Sequence, residues 1–358
     1  MRALLISSAC CIHTRKWCNG LAEKGLEIHL VSQQVPMDGY HEGVKFHKLP
    51  YKGLKGYILN RNALLRTIKE VDPDVINVHY ASGYGTLASV AGLKNFIMSV
   101  WGSDVYDFPF KSKVHNKLVK YNLNRASVIC STSEVMGNFV KSAFPLKPTI
   151  AVKITPFGVD VNKFKKEQKE NGASDFTIGT VKTLRPKYGI ENLIKAFGLL
   201  VSKGYANIQL KIAGKGYLRP DLEELTKQLG LTDKVRFLGW VENNEVPDLL
   251  NTFDIYVAPS SLDSESFGVA IVEASACELP VIVTRVGGLP EVVNDGYTGF
   301  VVEPDSVESL SKAIETLMSD QKKRIQMGKA GRENVIKKYE WDFCVERMIE
   351  IYSNHQYK

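Results

Sequence analysis

Residues 258–291, APSSLDSESFGVAIVEASACELPVIVTRVGGLPE, decide the fold. An apolar strand from Asp254 to Ala258 runs into this stretch and gives way to a loop that carries Glu265 and then Phe267-Gly268. Val269, Ala270, Ile271 and Val272 follow and read as a buried helix opening at Gly268, which Glu273 interrupts. A carboxylate in an apolar helix is costly to bury unless it is paired. Glu273 is therefore expected to face a cleft or to meet a hydrogen-bonding partner such as two ligand hydroxyls. Two glutamates eight positions apart are also what an ordinary charged surface produces. Their placement, one in the loop after a strand and one on the helix that loop feeds, favours the ligand-binding edge of an open α/β sheet. The free amides at a helix start carry partial positive charge, so Ser266, Phe267, Gly268 and Val269 form an expected phosphate cradle.

Working outward, the second half alternates strands and helices. Strands are predicted at Phe176–Val181, Ile208–Ala213, Val235–Leu238, Asp254–Ala258, Val281–Thr284 and Gly299–Val302. Helices are predicted near 190–202, 220–229, 244–251, 268–277, 306–318 and 320–338. The first half has the same rhythm, with strands at Ala3–Ser7, Glu27–Ser32, Val75–His79, Phe96–Val100, Val128–Ser131 and Thr149–Ile154. Its helices are expected near 15–25, 58–70, 86–93, 113–124 and 133–142. Such alternation implies parallel sheets covered on both faces. The fold class is α/β, with two Rossmann-like parallel-sheet domains facing each other. The charged, aperiodic stretch FGVDVNKFKKEQKENGASD separates them, with the linker placed at 161–175. The domains are then 1–160 and 176–340, and a final helix from Trp341 to Tyr352 is expected to cross back to the first.

A chain of 358 residues suits two such domains. No apolar run approaches a membrane span, and MRALLISSACC reads as a strand instead of a signal peptide, so the expected compartment is the cytoplasm. Cys10, Cys11, Cys18, Cys130, Cys277 and Cys344 show no disulfide framework, and the Cys10, Cys11, His13, Cys18 cluster lacks paired metal-ligand spacing. Residues 1–160 hold 20 Lys and Arg against 11 Asp and Glu, whereas the remainder holds 26 against 28. The basic excess of the first half points to an anionic partner or a membrane surface, or else to a solvated lysine-rich face. Lys113, Lys117 and Lys120 fall on one stripe of a predicted helix, opposite Val114, Leu118 and Tyr121. No aromatic-interleaved basic module is present, so nucleic acid is not an expected partner.

The first strand-to-helix turn, SSACCIHTR, contains no glycine, which argues against a dinucleotide-binding dehydrogenase. Strand Phe176–Val181 instead ends at Lys182, with Lys187 five residues later in KTLRPKYG. Both occupy the loop where anions bind in this fold class, and lysine is a compact charge suited to phosphate. Arg185 and Pro186 lie between them and compete for the role.

With these residues assembled, the chain resembles the retaining glycosyltransferases of the family-four type, group 1, which have the GT-B fold. The resemblance rests on the E-x7-E pattern from Glu265 to Glu273 within ESFGVAIVE, followed in order by ACELPVIVTRVGGLPEVV and DGYTGFVVEP. IAGKGYLRPDLEEL, with Gly214 and Gly216, is similar to the family's Gly-x-Gly turn; VRFLGWV, FDIYVAPS, VWGSDVY and ITPFGVDVNKF resemble further landmarks. Three departures stand out. Lys182 occupies the usual arginine position, which loses a bidentate fork. The glycine pair of the first N-terminal loop is absent. Trp101 replaces the histidine common before Gly-x-Asp, leaving Asp104 on the acceptor side, with His13 or His79 as substitutes.

The resemblance implies transfer of a sugar from a UDP- or GDP-sugar to a hydroxyl of a saccharide or lipid-diphosphate-linked acceptor, with retention and with neither metal nor cofactor. The donor would bind the later domain and the acceptor the earlier one, in cell-surface polysaccharide or lipopolysaccharide assembly. The basic excess of the first half adds the expectation of a membrane-borne acceptor and peripheral contact to an anionic membrane. Lys182, Lys187 and the helix opening at Gly268 would stabilise the departing pyrophosphate. Glu265 would hold donor-sugar hydroxyls, Glu273 the ribose, and the region from Gly239 to Val241 the base. Glu265 as covalent nucleophile is the rival mechanism. A sugar-nucleotide epimerase on the same scaffold and a noncatalytic donor-binding partner are the alternative functions.

Overall fold

The computed structural model describes residues 1–167 and 175–357. It divides into two compact units, one built from Met1–Pro156 and the chain from Asp342 onward, the other from Phe157–Trp341. The first unit contains β1 (Arg2–Ile6), α1 (Ile12–Glu23), β2 (Glu27–Ser32), β3 (Lys45–Lys48), α2 (Gly53–Leu59), α3 (Arg61–Val71), β4 (Val75–His79), α4 (Gly83–Val90), β5 (Phe96–Val100), α5 (Ser103–Tyr106), α6 (Lys113–Leu123), β6 (Ala126–Ser131), α7 (Glu134–Ala143) and β7 (Ala151–Ile154). The second contains β8 (Phe176–Val181), α8 (Ile190–Ser202), β9 (Ile208–Ala213), α9 (Arg219–Gln228), β10 (Val235–Gly239), α10 (Val246–Asn251), β11 (Ile255–Ala258), α11 (Val269–Ala276), β12 (Val281–Thr284), α12 (Leu289–Val292), β13 (Gly299–Val302), α13 (Val307–Ser319) and α14 (Gln321–Tyr339). The last helix, α15 (Trp341–Asn354), runs back into the first unit.

The first sheet has the order β3-β2-β1-β4-β5-β6-β7 and the second β10-β9-β8-β11-β12-β13, with every neighbouring pair parallel. Strands buried on both faces read as unbroken apolar runs. Leu4, Ile6, Ile76, Val78, Met98 and Ile129 accordingly lie in one core, and Ile178, Leu210, Ile212, Val257 and Ile282 in the other. In each sheet the chain reverses its direction of growth at one place, between β1 and β4 in the first and between β8 and β11 in the second. Crevices outside the carboxyl ends of strands at such a reversal are where ligands bind in this architecture.

The structure differs from sequence expectation at several points. The helix expected near 58–70 is two helices, because the Asn60 side chain accepts from the Tyr51 amide at 3.0 Å and donates to the Tyr51 carbonyl at 2.8 Å, which bends the chain. β3 was not expected; KFHK is a short, charged edge strand without an apolar run. In α6 the buried side is Val119, Asn122 and Leu123, and Val114 and Tyr121, expected on the inner face, stand in solvent. Part of the expected linker, 168–174, lies outside the described residues. Val161 and Phe164 before it are packed into the second unit, where their carbonyls accept from the Arg332 guanidinium at 3.1 and 3.0 Å. In the first unit, Tyr352 of α15 receives a hydrogen bond on its hydroxyl from the Asn77 amide at 2.8 Å.

Candidate functional site

The loops after β8 and β11 meet at the reversal point of the second sheet. Lys182, one residue past β8, donates from Nζ to Glu265 Oε1 at 2.8 Å, and the two side chains are only 9% and 11% exposed. Lys187 follows in a short 3-10 turn, Pro186–Tyr188, and its Nζ reaches the Ser264 carbonyl at 3.5 Å. The Tyr188 ring lies between them, 5.1 Å from the Lys182 ammonium and 4.9 Å from that of Lys187, a cation–π arrangement that holds both charges in place. Arg185 points to solvent and does not displace either lysine.

Burial by itself would raise the Glu265 pKa, but the charge and hydrogen bond of Lys182 together with the charge of Lys187 outweigh it and hold the carboxyl below its ordinary range. The site therefore contains an ionised carboxylate with two ammonium groups beside it, a mixed set of acceptors and cations in which Lys182 and Glu265 are largely out of water. Such a set can accept hydrogen bonds from hydroxyls on one side and attract phosphate oxygens on the other.

Glycines make this convergence sterically feasible. A Cβ on Gly189, whose φ is +60°, would lie 1.9 Å from the Pro259 carbonyl oxygen. On Gly214, with φ +140°, it would lie 1.9 Å from the Lys182 carbonyl oxygen, and on Gly216, 2.1 Å from that of Leu184. The Gly-x-Gly turn thus lets the β9–α9 loop press on the backbone that carries Lys182. Gly214→Ala is expected to cost about 2 kcal/mol of stability and to shift Lys182, since a side chain at this φ is strained and the carbonyl must move. Chemical denaturation together with nucleotide affinity checks this; wild-type values for both would refute it. Sequence reading missed the role of Gly287-Gly288, where a Cβ would meet the Glu265 and Ser266 carbonyls at 2.1 and 2.3 Å. The adjacent glycines were visible, but nothing in the sequence says which loop they pack against.

Gly268 is the N-cap of α11, in the left-handed region at φ 94°, and no side chain caps the helix. Ser266 and Val269 are half-buried there and Phe267 is buried, its ring edge-on to Phe157 and Tyr339. Glu273 is half-buried in the second turn of α11. Its charge and that of Glu265 both act on the Tyr256 hydroxyl, whose pKa burial has already raised, so the two carboxylates share a neighbourhood around Tyr256. Val241 is half-buried past β10, beside an exposed Trp240 whose indole N–H donates to Glu242 at 2.7 Å.

In the first unit the reversal point gathers aromatic rings. Trp101, just past β5, packs against His13 at 5.8 Å, His79 at 4.5 Å and Tyr80 at 5.1 Å. Burial, with a smaller contribution from Lys16, pushes the His13 imidazole down to about 4, and burial alone pushes His79 down to about 3. His79 Nδ1 is 3.1 Å from the Ser7 hydroxyl, which in turn lies 2.7 Å from that of Thr14. Tyr80 holds φ 71°, a costly conformation for a bulky residue and one that clusters at functional sites. Asp104, expected on the acceptor side, is turned inward: it accepts from the amides of Ala81, Trp101 and Gly102 at 2.8, 3.1 and 3.0 Å. It fastens the loop after β4 to the loop after β5, with its carboxyl raised by burial against the pull of those amides.

Among the described residues, no group of three or more His, Cys, Asp or Glu side chains is arranged to hold a metal ion, and no helix is long and apolar enough to cross a membrane.

Two family models match this chain. That described as "Glycosyl transferases group 1" matches residues 161–334, and that described as "Glycosyl transferase 4-like" matches residues 2–133. The N-acetyl-alpha-D-glucosaminyl L-malate synthase of Bacillus anthracis is 26% identical over 352 residues, which is 93% of this chain and 90% of that protein. A GDP-mannose-dependent alpha-(1-6)-phosphatidylinositol monomannoside mannosyltransferase of Mycolicibacterium smegmatis is 28% identical over 285 residues, 76% of this chain and 73% of that protein. Among solved structures, Anabaena HepE in complex with UDP superposes with a TM-score of 0.81 at 19% identity, covering 99% of both chains; at that identity the likeness bears on the fold.

Proposed function

Because the chain belongs to the group 1, family-four type glycosyltransferases of GT-B fold, we propose that it moves a sugar from a nucleoside diphosphate to an acceptor hydroxyl with retention at the anomeric carbon. The observation that carries this reading is the buried Lys182–Glu265 pair, with Lys187 beside it, at the reversal point of the second sheet. Charge develops on the diphosphate as its bond to the sugar breaks, and preorganised cations stabilise that charge without reorganising. Lys182, Lys187 and the amides opening α11 are aimed at this oxygen-rich group. Glu265 accepts hydrogen bonds from donor-sugar hydroxyls and offsets positive charge on the sugar. Glu273 takes the ribose hydroxyls, and the turn at Gly239–Val241 takes the base. The departing phosphate accepts the acceptor's proton, so no protein nucleophile is required, and the two lysines supply the cationic charge that a metal would otherwise bring. Transfer is therefore expected to persist in excess chelator.

The acceptor belongs to the first unit, at the His13, Trp101 and Tyr80 cluster, and is a saccharide or lipid-linked saccharide. The mycolicibacterial relative is named for a lipid acceptor and for GDP-mannose, whereas HepE was solved with UDP. Both bases therefore belong in the test. A ligand that binds only the folded state raises Tm by mass action, so one class of UDP- or GDP-sugar is expected to raise it by several degrees at about 100 times Kd. No response to either class would overturn the donor assignment. Release of nucleoside diphosphate only when acceptor is added identifies transfer, while an epimerised donor in its absence identifies an isomerase.

A further inference from the structure

The six cysteines are all unbridged, and their surroundings divide them into two groups. Cys18 and Cys130 are fully buried, and Cys277 and Cys344 are each only 2% exposed. Burial raises the Cys18 thiol and pushes those of Cys130 and Cys277 up to about 12, so these three stay protonated and out of reach of a soluble reagent. Cys10 is exposed and Cys11 half-buried. The accessible thiols are therefore two consecutive residues.

Both stand in the turn between β1 and α1, at the carboxyl edge of β1 where the first sheet reverses. The Cys11 amide donates to the Ser8 carbonyl at 3.1 Å, so Ser8, Ala9, Cys10 and Cys11 form a hydrogen-bonded turn with both cysteines in its second half. Its inner side is fixed. The Ala9 amide donates to Ser32 Oγ at 2.9 Å, and the Ala9 carbonyl accepts from the Tyr40 hydroxyl at 3.0 Å and from the Met37 amide at 3.3 Å. Each sulfur has its own partner. Cys10 Sγ donates to the Val35 carbonyl at 3.3 Å, while the Cys11 thiol and the Tyr80 hydroxyl share a hydrogen bond. Burial raises the Tyr80 pKa, and Cys11 raises it further. Tyr80 is the residue held at φ 71° and packed on Trp101, so the Cys11 thiol touches the aromatic cluster of the first unit.

Adjacent Cα atoms are about 3.8 Å apart across a trans peptide, nearer than the roughly 4.4–6.8 Å usual across a disulfide. A bridge between neighbours forms readily because the second thiol is always at hand, and it is readily reduced because it is strained. Those properties suit a reversible modification and disfavour a structural crosslink.

We infer that Cys10 and Cys11 form a redox-active dithiol, a modification site for low-molecular-weight disulfides. The Cys10 thiolate attacks one sulfur of the reagent, forming a mixed disulfide and expelling one thiolate. Cys11, as thiolate, then attacks the Cys10 sulfur, closing the ring between the two residues and expelling the second thiolate. The dithiol gives up two electrons and two protons, and the reagent leaves as two thiols. Ring closure removes the Cys11 S–H and with it the bond to Tyr80, so the oxidation state is felt in the loop after β4. None of this depends on the transfer reading.

The test treats the full chain with glutathione disulfide and weighs the tryptic peptide of residues 3–15, which holds Cys10 and Cys11 and no other cysteine. The wild-type peptide is expected to lose two hydrogens, to carry no adduct and to recover its mass in dithiothreitol. Cys11→Ser is expected to stop at a stable glutathione adduct on Cys10, because no neighbouring thiol resolves it. Hydrogen exchange of the amides at residues 80–82 should accelerate by roughly fivefold on oxidation, what one net hydrogen bond is worth, and return on reduction. A lasting adduct on the wild-type peptide, an unchanged peptide, or equal reaction of the four buried cysteines overturns the dithiol. Unchanged exchange at residues 80–82 in the oxidised chain overturns its link to Tyr80. Both readouts use the wild-type chain, so a variant that fails to fold cannot decide the outcome.

Discussion

If the proposed transfer reading holds, exchanging Glu265 for glutamine is expected to lower kcat on the order of 100- to 1000-fold while moving the donor KM far less, because the interaction removed would strengthen as the sugar becomes cationic. The carboxylate is the only acidic partner that Lys182 is seen to have among the described residues, and both side chains are nearly out of water. Removing one charge of such a pair destabilises by about 3–5 kcal/mol when the other stays ionised and buried. A loss of activity could therefore arise from loss of folding, and Glu265→Asp separates the two. It keeps the charge beside Lys182 but withdraws it by one methylene, so Tm should stay near wild type while kcat falls. A folded Glu265→Gln enzyme turning over within threefold of wild type would remove Glu265 from the chemistry. Because the lysines hold the Glu265 pKa below its ordinary 4.5, the pair's contribution to stability is complete above that value and is lost only as pH falls through the lower, folded-state value. Glu265 should accordingly contribute no acid limb to the rate profile between pH 5 and 8.

The second large effect concerns the first unit. His79 is buried with its imidazole held near about 3, against 6.5 when solvated. Below pH 6.5 the unfolded chain therefore binds a proton that the folded chain refuses, and stability falls as pH falls, levelling off only near pH 3. Between pH 7 and 5 this one residue is expected to remove roughly 2 kcal/mol, and His13, held near about 4, acts in the same direction. Hydrogen exchange of β1 and β4 amides should therefore accelerate by roughly 30-fold from this source across that interval, once corrected for intrinsic rates. His79→Gln cannot acquire charge. Whatever it costs at pH 7, its stability should depend on pH less steeply by that amount, and an unchanged slope would show that the destabilising proton binds elsewhere. Neutral imidazoles at pH 7 also mean that His13 and His79 contribute shape and hydrogen bonding, not charge, to the cluster around Trp101.

Much of this molecule is determined by local sequence. Short strand-forming runs of four to six residues, apolar in β11 and β12 but broken by Gln209 and Lys211 in β9 and by Arg236 in β10, each followed by a helix, point to parallel strands, and the reading from Phe176 to Val302 placed every strand of the second sheet. The start of α11 at Gly268 was legible for the same reason: a glycine before an apolar helical run is a local signal. That Lys182 and Lys187 lie in the loop after β8 and Glu265 in the loop after β11 was also legible, because the strand ends are local signals. What the sequence could not show is which loops touch. That Lys182 pairs with Glu265, 83 residues away, follows from β8 and β11 lying side by side in the sheet. That Asp104 is spent on three backbone amides, and that Val114 and Tyr121 face water, depends on which neighbours cover each face. Helical periodicity divides α6 into stripes, but the packing of α4, β6 and the turn Phe108–Lys111 against it selects the stripe that is buried. Strand propensity is a property of a few adjacent residues, whereas pairing, burial and exposure belong to the assembled sheet, so the elements were written locally and the site was made by their order.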